Sequence, residues 1–462
     1  VALAGRARNI IRYIVFGCLV IPAIALLAFG PREHDTTPDG RVVIEYWEKW
    51  TGYEEAEMRH VVDQFNETEG KKDGIFVRFM STSSVNQKTL VATAAGTPPD
   101  VAGLWDYDVP QYAAMDALEP LDTMAAAHGI TAASYQKVYW DECHYDGRLY
   151  ALFSTPNVVA LHYNKPMFAA AAGKIRAAGL DPDRAPRTID ELDRYAAALD
   201  VKDANGRYDV MGYLPGEPGW YLNYTCFWFG GSWWDDKNRR FTFTDPAVIK
   251  SYQWVQSYYK RMGPTAAADF QSGVGNFDSP QNAFMAHTVA MEQQGVFFAN
   301  FIHHQQPAMD GQWGLAPFPS AVPGLNDVCY CNGDVLVIPR TAKHKKEAFE
   351  FVAYVNRQDV MEELCSVHCK TSPLSHVSEK FLANHANPYA REFQRLAASP
   401  NAHGTPPVPI IPEVMEEMKN FSEKLSLLKT TPEAGLAEVQ ERLQKKLDQF
   451  NAIQAKRRAE SD

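Results

Sequence analysis

Cysteine is scarce in this chain, with seven in 462 residues, which excludes a small disulfide-built scaffold. A chain of this length buries enough apolar surface to do without such cross-links. Basic residues are also in deficit, 45 against 56 acids, for a net charge of −11. That balance argues against a nucleic-acid binder, which needs a basic face to neutralise phosphates. Local catalytic signatures are missing as well: there is no G-x-x-x-x-G-K-[ST], G-x-S-x-G, H-E-x-x-H or paired C-x-x-C. Their absence favours binding over catalysis, although glycosidases work without any local motif. The DANG turn at 203–206 misses the calcium-loop spacing by one position. Cys365, His368 and Cys369 lack a zinc spacing, and His303-His304 reads as surface. No metal or cofactor is expected.

Aromatic residues, by contrast, are plentiful: 12% of the chain, with 21 Tyr and 10 Trp. Large rigid rings with a polar handle suit recognition surfaces. Four of the tryptophans fall in GWYLNYTCFWFGGSWWDD, residues 219–236. Trp220, Tyr224 and Trp228 are four apart, which predicts one face of an α-helix ended by Gly230-Gly231. The stretch is either plain core or a platform on which a flat ligand lies. Trp233 and Trp234 open a hairpin-like stretch in which alternation lets one of them face inward.

Long apolar runs occur once. Arg6, Arg8 and Arg12 lead into a stretch at 10–29 that is about the roughly 20 residues needed to cross a bilayer. Charges placed in front send the following chain outward. The run is read as a transmembrane signal anchor or a signal peptide over 1–30, with a polar linker over 31–40. Oxidising surroundings would then allow a disulfide between the pair Cys329, Cys331 and the pair Cys365, Cys369.

Beyond the linker, VVI at 42–44 begins a strand, and Met58, Val61, Val62 and Phe65 mark a helix. GIFVRFM, NQKTLVATAAG and DVAGLW continue the series as strand, helix, strand. This is an α/β pattern with parallel strands, in which ligands sit beyond the carboxyl ends of strands. Two such ends carry a tryptophan beside an acid: Trp47 with Glu48, and Trp105 with Asp106. Further on, Thr188 or Asp190 caps a helix, DVLVIP at 334–339 is strand-like, and Leu436, Val439, Leu443, Leu447 and Phe450 stripe a C-terminal helix that packs on the body.

Several stretches in order resemble the extracellular solute-binding proteins of family 1, the carbohydrate-binding subunits of ABC importers. They include AAGTPPDVAGLWDYDVPQYAAMDALEPLD at 94–122, YDGRLYALFSTPNVVALHYNK at 145–165, FGGSWWDDKNRRFTFTDPAVIKSYQWV at 229–255, FMAHTVAMEQQGVF at 284–297 and NGDVLVIPRTAKHKKEAFEFVAYV at 332–355. The resemblance implies a two-lobed periplasmic-binding-protein fold with an interlobe cleft and a hinge. Lobe I would comprise 41–155 plus 327–376, and lobe II 156–326 plus 377–462. Crossings are implied near Thr155 and Asn157, over 319–327 and over 374–381.

Carried over position by position, the resemblance implies substrate contacts from Trp47, Glu48, Lys49, Trp105, Asp106, Asn157, Trp220, Gln294, Phe297, Asn332 and Asp334. At Phe297 better-known members carry Trp. Aromatic faces cover the apolar faces of a sugar, and carboxylates and amides bind its hydroxyls. The implied function is capture of a mono- or oligosaccharide and delivery to ABC permease subunits, without catalysis, at the periplasmic or extracellular face of a bacterial inner membrane. Alternatives are a binding protein for a polyamine or polyol phosphate, with Glu48, Asp106 and Asp108 serving a polyamine, and a secreted glycosidase or ligand sensor.

Overall fold

The computed structural model describes residues 40–461. The apolar run at 10–29 and the linker up to 39 lie outside the described residues, as does the anchor or signal reading placed on them. No helix among the described residues is long and apolar enough to cross a membrane.

The β-branched start of the chain forms β1 (Val42–Glu48), followed by helix α1 (Gly52–Glu67), which buries Met58, Val61, Val62 and Phe65 as their spacing predicts. Strand β2 (Ile75–Ser81), helix α2 (Val85–Ala94) and strand β3 (Val101–Trp105) complete the expected unit. β1 pairs in parallel with both β2 and β3. Gly103 is obligatory in β3, because a Cβ there would overlap the carboxylate of Glu48.

Strand β4 (Ala151–Asn164) is fourteen residues long and almost wholly buried. Its first half pairs with β7 (Cys329–Val337), and its second half pairs with β5 (Met291–Gly295) and β6 (Trp313–Ala316). β7 also runs antiparallel to β3, and the short β8 (Ala402–His403) extends its far end. One eight-stranded sheet results, with core order β5-β4-β7-β3-β1-β2. The strand expected at 334–339 therefore starts earlier, at Cys329. It crosses β4 at Gly333, where a Cβ would clash with Thr155 O and Pro156 Cα.

The two largest apolar cores among the described residues lie along this sheet. The first gathers β1–β3, the start of β4, and helices α6 (Lys345–Val355) and α7 (Gln358–Val367). The second gathers α3 (Ile189–Leu199), the aromatic segment, α4 (Pro246–Met262), α9 (Ile411–Ser426) and α10 (Pro432–Ser461). Thr188 caps α3, its hydroxyl accepting from Glu191 N. Leu436, Val439, Leu443 and Leu447 of α10 are buried in the second core, and Phe450 packs on it. Phe381 and, from α8 (Ala390–Ala397), Phe393 and Leu396 lie in the first core. The chain enters the second core at Val408.

Three local expectations need correction. The aromatic segment forms a 3-10 helix, Leu222–Phe229, so Trp220 precedes it and the four-residue spacing does not align one face. Trp233 and Trp234 are both buried, at 1% and 6% exposure, because Trp233 stacks on Phe243 while Trp234 sets its edge against Phe241. The cysteines Cys329, Cys331, Cys365 and Cys369 are free and buried. Cys329 faces Leu396 O and Cys365 faces Met361, so the two pairs have different neighbours.

Candidate functional site

Where β1 ends, the chain supplies Glu48, Lys49 and Trp50 in succession. Glu48 is fully buried. It accepts from Tyr46 Oη (2.6 Å), Lys49 N (2.7 Å) and Lys49 Nζ (3.3 Å). Lys49 Nζ also reaches Leu104 O at 3.2 Å and Asp334 Oδ1 at 2.9 Å. Asp334 Oδ2 accepts from Thr155 Oγ1 (2.9 Å) and Lys370 Nζ (3.2 Å), and Lys370 lies 3.5 Å from Glu54. Four distant segments thus meet in one alternating chain of charges. Burial opposes ionisation of all three central groups. The lysines nevertheless hold Asp334 well below the usual carboxylate range, and Asp334 with its acidic neighbours holds Lys49 and Lys370 above theirs.

Aromatic rings border this network. Lys49 Nζ sits 4.9 Å from the Trp105 ring and 5.6 Å from Trp50, and Lys370 Nζ sits 5.5 Å from Trp50. Trp105 stacks on Tyr107 at 5.7 Å and 7°, and Tyr107 packs against the second core. Asp108 is 3% exposed, and its Oδ2 has no hydrogen-bond partner. Burial raises it to about 7 against the pull of Lys49.

The second half of the site is assembled by Asn157 at the middle of β4. Its amide donates to Asn332 Oδ1 (2.7 Å) and Tyr221 Oη (3.3 Å) and accepts from Val296 N (3.2 Å). Gln294, buried in β5, donates to Glu292 Oε1 at 2.8 Å and accepts from Gly295 N. Just beyond, Phe297 stacks on Trp220 at 6.2 Å and 22°, with Phe277 set edge-on to both. Trp220 is 40% exposed, unusual for a tryptophan ringed by aromatics. Tyr53 of α1 meets Phe301 and His304 of α5 (Phe298–Gln305), so the two halves touch at 5.7 and 4.9 Å.

The structure therefore brings Glu48, Lys49, Trp105 and Asp334 into one group, and Asn157, Asn332, Gln294, Trp220 and Phe297 into another. Two expected residues stand apart. Trp47 alternates to the other face of β1 from Glu48 and packs on the first core. Asp106 is buried and accepts from Gly333 N (2.9 Å) and Thr405 Oγ1 (2.7 Å), which ties β3 to two neighbouring segments. Sequence reading missed Trp50, Lys370 and Tyr221, and placed Asp108 only in the polyamine alternative. Lys370 follows a helix in a stretch with no motif, and only the fold brings it to Asp334.

Among the described residues no group of His, Cys, Asp and Glu could hold a metal ion. Cavities lie elsewhere as well. One of about 870 Å³, lined by Asp106, Glu142, Arg395, His403 and Thr405, borders β8. Another, of about 1220 Å³, lies between the residues before α3 and the 315–327 strap. Neither contains Lys49, Asp334 or Trp220.

Comparison with known proteins adds to this geometry. A family profile described as bacterial extracellular solute-binding protein matches residues 50–362. The structure is similar to that of CpMnBP1 with mannotriose bound, at 25% identity, covering 87% of this chain and 99% of that one, with a TM-score of 0.73. It is similar to the sugar-binding protein MalE from the phytopathogen Xanthomonas citri (22%, 89% and 99%, TM-score 0.72). It also resembles a cyclo/maltodextrin-binding protein complexed with maltotetraose (20%, 90% and 99%, TM-score 0.67). Among curated proteins none matches the chain.

Proposed function

The chain belongs to the bacterial extracellular solute-binding proteins, and from that premise we propose that it captures a mono- or oligosaccharide between its lobes and delivers it to the permease of an ABC importer. The observation that carries this reading is the pairing of an open aromatic face, Trp220 on Phe297, with two polar networks, one built on Asn157 and Asn332 and one on Asp334 and Lys49. A pyranose offers apolar C–H faces and a rim of hydroxyls, and the two surfaces match those two features. The solved structures of CpMnBP1 with mannotriose and of the maltodextrin-binding protein with maltotetraose share the fold, which supports a saccharide ligand here.

In this reading Trp105, Trp220 and Phe297 cover sugar faces. Glu48, Lys49, Asn157, Gln294, Asn332 and Asp334 bind hydroxyls or hold the groups that do. Trp47 and Asp106 shape the site from behind. The protein does no chemistry on its ligand, and the run at 10–29 exports or tethers it at the outer face of the membrane. A ligand bound only to the folded state raises the melting midpoint. A thermal-shift screen against saccharides and spermidine therefore tests the reading. A rise with at least one saccharide supports it, and a rise with spermidine alone overturns it.

A further inference from the structure

Asp106 follows Trp105 at the end of β3, yet it lines the cavity of about 870 Å³ that contains none of Trp220, Asn157 or Lys49. That volume lies within the roughly 300–1,000 Å³ usual for small-molecule sites. Glu142 lines the same cavity, and the two acids converge on one residue. Thr405 Oγ1 donates to Asp106 Oδ2 at 2.7 Å, and Thr405 N donates to Glu142 Oε1 at 2.7 Å. The chain is pressed close here, because a Cβ on Gly404 would strike Glu142 Cγ and Cδ. Glu142 Oε2 has no donor. Gln136 also lines the cavity; it is 7% exposed, and its Oε1 has no donor either.

No lysine or arginine pairs with Asp106 or Glu142 among the described residues. The cations of the same cavity are spent on other acids: Arg391 on Glu379, Arg395 on Asp327 and Glu392, and Lys137 on Asp141. Burial keeps His403 neutral, and its ring stacks on Phe227. The remaining surface is largely apolar, with Pro110, Val377, Leu382 and Pro407 among the walls. The cavity therefore offers two acids without a cation and one amide oxygen without a donor. An ammonium supplies the missing charge together with three N–H donors. Gln136 and Glu142 stand six positions apart (142 − 136) along the helix Lys137–Glu142, about 9 Å at the α-helical rise. One ligand spanning that length reaches both.

We propose that this cavity receives a small primary amine carrying a second hydrogen-bond donor, with its ammonium at Asp106 and Glu142 and its far donor on Gln136 Oε1. The site is separate from the saccharide cleft and does not depend on that reading. Burial and the charge of Asp106 hold Glu142 well above the usual carboxylate range, and burial raises Asp106. Two acids so close retain a proton for want of a cation.

The test is titration calorimetry at pH 7 in phosphate buffer with 1,5-diaminopentane, 1,5-pentanediol and calcium chloride. Wild type, Glu142→Gln, Gln136→Leu and Trp220→Ala are compared, each first shown folded by circular dichroism. The diamine is expected to bind wild type at least about tenfold more tightly than the diol. Glu142→Gln should bring that ratio toward one, Gln136→Leu should weaken the diamine several-fold, and Trp220→Ala should leave it unchanged. A wild-type ratio at or below one, or a ratio retained in Glu142→Gln, overturns the inference. So does unchanged diamine affinity in Gln136→Leu, which decides the matter if Glu142→Gln fails to fold. Loss of diamine binding in Trp220→Ala places the amine in the cleft and overturns it as well, as does binding of calcium without the diamine.

Discussion

Lys49 Nζ lies 2.9 Å from Asp334 Oδ1, joining the end of the first strand, across β3, to a strand met 285 positions later (334 − 49). Asp334 has a second lysine, Lys370, at 3.2 Å. Breaking a buried ion pair from one side leaves the other charge uncompensated. Asp334→Asn is therefore expected to cost about 3 kcal/mol of stability at pH 7, read as a lower urea midpoint. Asp334 is held below its unfolded value, so its contribution is present above the unfolded carboxyl pKa of about 3.9 and declines as pH falls toward the folded value. The gap between wild type and variant should persist down to about pH 4 and narrow below it. An equal gap at pH 7 and in strong acid would contradict the pairing.

Glu292 predicts the opposite slope. Its folded value, about 8, exceeds the unfolded value. Between the two, the folded protein holds a proton that the unfolded chain has released, so stability falls as pH rises through that window. Glu292→Gln removes the loss. Its melting temperature should exceed that of wild type at pH 8 and approach it near pH 4.5, a differential of the order of a few kcal/mol. Parallel melting curves across that range would show that burial does not control this group.

Two tryptophans in one short segment should behave differently. Trp228 is fully buried, and its indole Nε1 donates to Val328 O at 2.9 Å. Trp228→Ala should cost about 3–5 kcal/mol. Trp220 is 40% exposed, and Trp220→Ala should keep the melting temperature within about 3 °C of wild type while weakening saccharide binding. Unfolding by Trp220→Ala would return that ring to the core.

Cysteine chemistry gives a further check. All six described thiols are free and buried, and burial drives Cys226, Cys365 and Cys331 above the usual thiol range. A thiol that stays protonated and covered reacts slowly. Dithiothreitol should leave the melting temperature unchanged, and an aromatic disulfide reagent should label these six after unfolding only. A lower midpoint on reduction would reveal a disulfide.

Much of the frame was legible because it is written in local patterns. The β-branched start of β1, the helical spacing of Met58 to Phe65 and the Thr188 cap each act within a few residues, and each formed as expected. What escaped was long-range. Lys370 is exposed by no pattern around it, and its significance comes from Asp334 and Glu54. That Glu292 Oε2 has no partner is a property of the packed interior, not of its neighbours in sequence. Asp106 accepts from Gly333 N and Thr405 Oγ1, partners that lie more than 200 residues away in the chain. The 220–228 spacing misled because the segment is a 3-10 helix from Leu222, in which residues four apart do not share a face.

The most direct measurement is calorimetric titration of wild type and Trp220→Ala with mannobiose, mannotriose and maltotetraose, followed by chromatography of the recovered sugar. The account predicts that at least one saccharide binds wild type and is recovered intact, with affinity lowered about tenfold or more in Trp220→Ala. No binding of any saccharide, or recovery of cleaved products, would contradict it.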